Sequence, residues 1–295
     1  MTEVTLSTSN NAVARFLRSK AFHLQVDTLE EEVFFRSASE ARDRPEPGVT
    51  VPPIFLKHQS RPTGPGLLTE AERAFFDHNG DVWVSDEGLA QFTSALLDMF
   101  AYAKSPHWSK EIHARFTLPT PGSSTPSVDM DSVLALRNGI GECTLLVFNC
   151  SGKNPSRGVD YEPVLVAASI AAFHQNNQAR QAVGQTPLLY KDFPCLAMVG
   201  TAPIFYRVLV DHQVADHLDR PGQSLVVKKL VPPVPDSGRY IVDGMVPLQN
   251  RRIVFGCLEK FRKFVSDVPE MFPRELLSRA FRGFWDVDEN DDEFA

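Results

Sequence analysis

The chain has no two cysteines separated by two residues, and its four (Cys143, Cys150, Cys195 and Cys257) lie scattered. That spacing excludes a zinc ribbon and a thioredoxin-type redox motif. Three of them sit in apolar surroundings, where a free thiol packs as a small hydrophobe, so an intracellular, reducing location (cytoplasmic or nuclear) is expected. The stretch MTEVTLSTSNNAVARFL has neither a basic start nor an apolar run, so no secretory signal is expected. No apolar stretch reaches the roughly 20 residues of a membrane helix, and no membrane association is expected. There is no G-x-S-x-G elbow and no G-x-x-x-x-G-K-[ST] phosphate loop. GIGECT leads into a strand pattern rather than a helix, which excludes a dinucleotide fingerprint. A strong basic stripe of the kind that binds nucleic acid without sequence preference is also missing.

What is present is an ordinary globular composition: 295 residues, 43% hydrophobic and 23% charged. A chain of this size buries a sizeable core without disulfides or a structural metal. The net charge of −7 is uneven, because WDVDENDDEFA holds six acids (Asp286, Asp288, Glu289, Asp291, Asp292 and Glu293). Without those six, 31 of the 37 acids face 30 bases, and the body is close to neutral. Such a body neither demands nor excludes a nucleic acid or a protein partner.

Three segments are expected. Residues 1–69 read as a helical, polar lead followed by a proline-rich connection, since RDRPEPGVTVPPIF and SRPTGPGLL both break helices. An oligomer could form through this segment. Residues 70–285 read as an α/β domain, and 286–295 as a solvated acidic tail. Thr69 with Glu72 makes a capping box, and Ser85 is an N-cap candidate. After Ser85, Leu89, Phe92, Leu96, Leu97 and Phe100 share one helical face. SVDMDSVLALRNGIGECTLLVFNC reads as a hairpin turning at Asn138-Gly139. A long amphipathic helix follows over about 160–180, then three strands, then a helix in RRIVFGCLEKFRKFVSDV with Ile253, Leu258, Phe261, Phe264 and Val265 on one side. PRELLSRAFRGFW reads as a closing helix. The order predicts an α/β (α+β) fold with a mixed central sheet flanked by helices.

Four stretches resemble the PD-(D/E)XK nuclease-like fold, in the branch found in fungal Crinkler-related and kinase-associated proteins. They are SVDMDSVLAL, TLLVFNC, YEPVLVAASIAAF and FPCLAMVGTAPIFYRVLVDHQVADHL, together spanning roughly residues 85–268 with the helices that flank them. The resemblance implies a restriction-endonuclease-like core and Mg²⁺- or Mn²⁺-dependent phosphodiester cleavage. That chemistry needs hard oxygen ligands from two adjacent strands and a lysine two residues after the second acid. Asp129 or Asp131 supplies the first acid. The second position falls on Val147, the lysine on Asn149, and the family's helical glutamine near Val166.

Valine cannot hold a metal, so the resemblance implies a catalytically degenerate domain that acts by binding. Two alternatives remain open at this point. In one, the catalytic set has migrated to Asp129 or Asp131 with Glu142 or Glu162 and Lys153, the metal resting on Asp131 and Glu142. In the other, the same cleft serves a small-molecule enzyme through Lys153, Arg157, Asp160, Tyr161 and His174. DHNGDVW fails the calcium-loop template, with Val82 and Gly88 at key positions. His212 and His217, five apart, miss the spacing that would put both on one helical face.

Overall fold

The computed structural model describes residues 23–40, 52–58, 61–62, 68–69, 72–73, 75–77, 85–103, 108–116, 133–150, 161–216 and 224–265. The expected closing helix and acidic tail lie outside these residues.

The strands are β1 (His23–Thr28), β2 (Ser109–Glu111), β3 (Val133–Arg137), β4 (Cys143–Cys150), β5 (Tyr190–Val199), β6 (Ala202–Asp211) and β7 (Ser224–Leu230). The helices are α1 (Glu31–Glu40), α2 (Pro53–Lys57), α3 (Asp86–Met99), α4 (Tyr161–Ala182), α5 (His212–Asp216), α6 (Tyr240–Asp243) and α7 (Leu248–Phe261). All seven strands form one mixed sheet in the order β1-β7-β6-β5-β4-β3-β2. Only β1–β7 and β4–β5 are parallel. The fold is thus a mixed sheet flanked by helices, as the sequence pattern predicts. From α3 to α7 the longer helices and strands follow the predicted order, with the short α5 and α6 as additions; HARFTLPTPG reads in sequence as a strand, whereas the strand there, β2, ends just before it and residues 113–116 are not strand.

Strand alternation divides the core into two layers. Val133, Ala135, Leu146, Phe148, Cys195, Ala197, Tyr206 and Val208 face α4. Leu134, Leu136, Leu145, Val147, Leu196, Met198 and Phe205 face α1, α2, α3 and α7. The second layer is rich in phenylalanine. Phe34 contacts Phe261 and Phe264, and Phe55 meets Phe75 and Phe255 with centroids 4.7 and 6.3 Å away.

The helix ends follow their sequence signals. Ser85 Oγ accepts from the Gly88 amide at 3.0 Å, and the Thr69–Glu72 capping box closes reciprocally, at 2.7 and 3.3 Å. The predicted apolar face of α3 is buried throughout.

Three further elements differ from expectation. Residues 23–28 form strand β1 beside β7, where the polar lead was expected to be mostly helical; long-range pairing outweighs local preference. The β3–β4 turn is longer than Asn138-Gly139: the Asn138 amide bonds the Glu142 carbonyl at 2.9 Å, and Gly141 takes the left-handed φ of 88°. Helix α4 is not amphipathic along its whole length, because Pro163 to Phe173 are all buried. Only its second half carries a polar face.

The β5–β6 hairpin turns at Gly200-Thr201, with φ of 54° at Gly200. Glycine at the first turn position suits a two-residue hairpin loop. Gly244 lies against this turn, where a Cβ would come within 2.7 Å of the Thr201 carbonyl carbon. The Met245 amide bonds the Thr201 carbonyl at 3.2 Å, so α6 is docked on the hairpin by backbone contact.

Candidate functional site

The two positions where the sequence resemblance would place an acid and a lysine, Val147 and Asn149, lie on β4. Val147 is fully buried among the side chains facing α3 and α7. Asn149, two residues on, faces the same side and accepts a 2.9 Å hydrogen bond from Thr93 Oγ1 on α3. At the two positions where the resemblance implies an acid and a lysine, one side chain is core and the other ties the strand to a helix.

Among the sequence-predicted acids, Glu142 and Glu162 are described; Asp129, Asp131 and Lys153 lie outside the described residues, as do Arg157, Asp160 and His217. Glu142 is at the turn end of the β3–β4 hairpin and is 6% exposed. One carboxylate oxygen accepts from Asn138 Nδ2 at 2.7 Å and the other from Arg180 Nη1 at 3.0 Å. Glu162 is at the other end of α4. Its Oε1 accepts from Lys229 Nζ at 2.9 Å and Tyr206 Oη at 3.0 Å. Since Arg180 holds Glu142 and lies 18 residues beyond Glu162, about 27 Å of helix runs between the two acids' positions. They cannot serve one metal ion together. Among the described residues no three His, Cys, Asp or Glu side chains gather in a metal-binding arrangement.

The Glu162–Lys229–Tyr206 group is the most reactive-looking cluster, and it joins α4 to β6 and β7. Burial pushes the Glu162 carboxyl up. The hydrogen bond and charge of Lys229, with the Tyr206 hydroxyl, more than offset this, and the pKa lies below the usual carboxylate range. Glu162 is therefore an ionised acceptor at neutral pH and a poor general base.

The folded pKa lies below the unfolded one. The group's stabilisation is complete above the unfolded pKa and is lost as pH falls through the folded value. Lys229→Met removes the offset and leaves burial, which reverses the slope: Glu162 would then destabilise the fold while ionised. The variant is expected to be about 2 kcal/mol less stable at neutral pH, with the gap closing on acidification. Thermal melts of both proteins from about pH 7 to about pH 3 check this. A gap that stays constant across the series would count against the assigned pair.

The polar run HQNNQAR on α4, which includes the cleft candidate His174, works as a clamp. Asn176 accepts from the Cys143 amide at 2.6 Å and donates to its carbonyl at 3.0 Å. Asn177 does the same for Leu188, at 2.6 and 3.2 Å. Each amide stands in for a missing neighbouring strand, one beside the start of β4 and one just before β5. Gln175 accepts from Arg137 Nη2 at 3.1 Å, and His174 Nε2 meets the Ala215 carbonyl at 3.1 Å. Tyr161 and His174 are 13 residues apart on α4, about 20 Å, and do not line one pocket.

All four cysteines are buried. Burial pushes the Cys143 thiol up to about 11 and Cys257 to about 12, and raises Cys195 as well. These three are core groups and poor nucleophiles. His212 Nδ1 lies 3.3 Å from the Leu189 carbonyl, holding α5 beside the loop before β5.

Sequence reasoning missed Lys229, Tyr206 and the buried pair Asp192–Arg207. The available signal was a charged or polar side chain inside an apolar strand, in IFYRVLV, VVKKL and KDFPCLAMV. No helix among the described residues is long and apolar enough to cross a membrane. No family model matches the chain, and a search of the curated proteins finds no match.

Proposed function

We propose that this chain is a catalytically silent, nuclease-like domain that acts as a binding or interaction module. One observation supports the reading above the others. The β4 side chains at the ligating register, Val147 and Asn149, point into the layer under α3, where Val147 is sealed in core and Asn149 is bonded to Thr93. The two described acids that could have migrated into the role add further support, since each is already held by basic and neutral donors at opposite ends of α4.

Incubation of the full chain with single- and double-stranded DNA and with RNA, in Mg²⁺ or Mn²⁺, tests the reading. The expected result is no cleavage above that of an Asp131→Ala variant. Cleavage by the wild type that Asp131→Ala abolishes would overturn it in favour of a metal-dependent nuclease with relocated ligands.

A further inference from the structure

The two edges of the sheet are built differently. The β2 edge is three residues long and charged. Lys110 bonds Ser94 Oγ at 2.8 Å and Asp98, while Glu111 is held by Arg137 Nε at 2.8 Å. Short, charged edges of this kind resist further pairing. At the other end β1 is six residues, HLQVDT, in unbroken parallel register with β7. Among the described residues it has no proline, no lysine and no bulge, and Asp27 is its one acid.

The ladder shows which of its backbone groups face outward. The Leu29 amide bonds the Lys229 carbonyl at 2.8 Å, so the odd-numbered residues of β1 point their N–H and C=O at β7. The N–H and C=O of Leu24, Val26 and Thr28 point away, and β1 ends the sheet among the described residues. Val26 is 37% exposed, although its side chain is on the same face as Leu24, which packs on the core beneath α4.

We propose that β1 is the contact through which two copies of this chain join, strand to antiparallel strand, about a two-fold axis at Val26. In that register Val26 faces Val26 of the second copy, and Leu24 faces Thr28. All three residues carry outward backbone groups, so each pair exchanges both N–H···O bonds. On the opposite face Gln25 stands directly across from Asp27 of the second copy. Within one chain Gln25 Nε2 already donates to Asp27 Oδ1 at 2.9 Å, and the same complementary pair forms across the axis in both directions. The strand is thus self-complementary in backbone, apolar contact and polar pairing, which selects a second copy over an unrelated strand. The sheets of the two copies become one.

Sedimentation of the full-length chain over a concentration series tests this. The wild type is expected to reach twice the monomer mass. Val26→Lys places two like charges face to face at the axis and is expected to return it to monomer, with an unchanged far-UV spectrum and a melting temperature that no longer depends on protein concentration. Val183→Lys, at an exposed site after α4, is expected to stay dimeric. A second readout needs no variant. Amide exchange at Leu24, Val26 and Thr28 in the wild type should slow several-fold between dilute and concentrated protein, while the odd-numbered amides, already bonded to β7, change little. A wild type that is monomeric throughout, or a dimer that survives Val26→Lys with exchange at these amides unchanged, overturns the proposal. The outcome reads subunit number and not metal binding, so this inference and the nuclease-like reading can fail separately.

Discussion

Replacing Arg251 by alanine is expected to destabilise the protein by about 4 kcal/mol, lowering its melting temperature by roughly 10 °C. Arg251 lies on α7 and is fully buried. Its guanidinium donates to the Met245 carbonyl at 3.0 Å, to Phe55 at 3.1 Å, to His58 at 2.7 Å and to Val246 at 3.4 Å. It also lies 5.6 Å from the Phe75 ring centroid. Burial lowers its pKa to about 10, still well above neutral, so the side chain remains charged. One residue therefore ties α2, the turn before α7 and the phenylalanine layer to a single point. Truncation strands several buried carbonyls, each costing about 1–3 kcal/mol. Arg251→Lys keeps the charge but cannot reproduce the planar fork, and should recover only part of the loss. Chemical denaturation measures the difference, and faster proteolysis at 52–58 should accompany it. A cost below about 1 kcal/mol would contradict the assigned role.

The second large effect lies across β5 and β6. Asp192 Oδ2 accepts from Arg207 Nε at 2.8 Å and also from Nη2, and both side chains are nearly buried. Arg207 also packs over the Phe264 ring at 4.3 Å. Asp192 Oδ1, however, is buried with no hydrogen-bond partner. The pair is thus incompletely compensated. Asp192→Ala leaves a buried guanidinium without its carboxylate and is expected to cost about 3–5 kcal/mol. The double replacement Asp192→Leu/Arg207→Met removes both charges together. It should be markedly more stable than Asp192→Ala, because the apolar layer around Phe34 and Phe264 accepts the new side chains. Equal losses in the single and double variants would show that packing, and not charge, dominates here.

The parts of the fold legible in the sequence were those written in local patterns. Ser85 and the spacing from Leu89 to Phe100 specify α3 because a cap and a 3.6-residue period need no distant partner. The β3–β4 hairpin is local for the same reason. Strand β1 was not legible: HLQVDT is short, follows a helical-looking stretch, and becomes a strand only beside β7, some 200 residues later. The buried half of α4 hides in the same way, since an apolar run does not say whether one face or all faces will be covered. The site was harder still. Glu162 and Lys229 are 67 residues apart, and the arginine and aspartate of the β5–β6 pair are 15 apart with an intervening turn. Their meeting depends on sheet register, which only the whole set of strands fixes. What the sequence did carry at the site was negative. A valine and an asparagine occupy the positions where the proposed nuclease-like resemblance would put an acid and a lysine, and the structure shows what those two side chains do.

Calorimetric titration of Mg²⁺ and Mn²⁺ into the protein tests that central claim most directly. The acidic tail should be deleted, because its six carboxylates would bind ions weakly by themselves. An Asp129→Ala/Asp131→Ala double variant serves as the reference. The account predicts titrations that are indistinguishable and do not saturate at millimolar ion. Saturable binding by the parent that the double variant lacks would contradict it and restore a metal site to the β3–β4 hairpin.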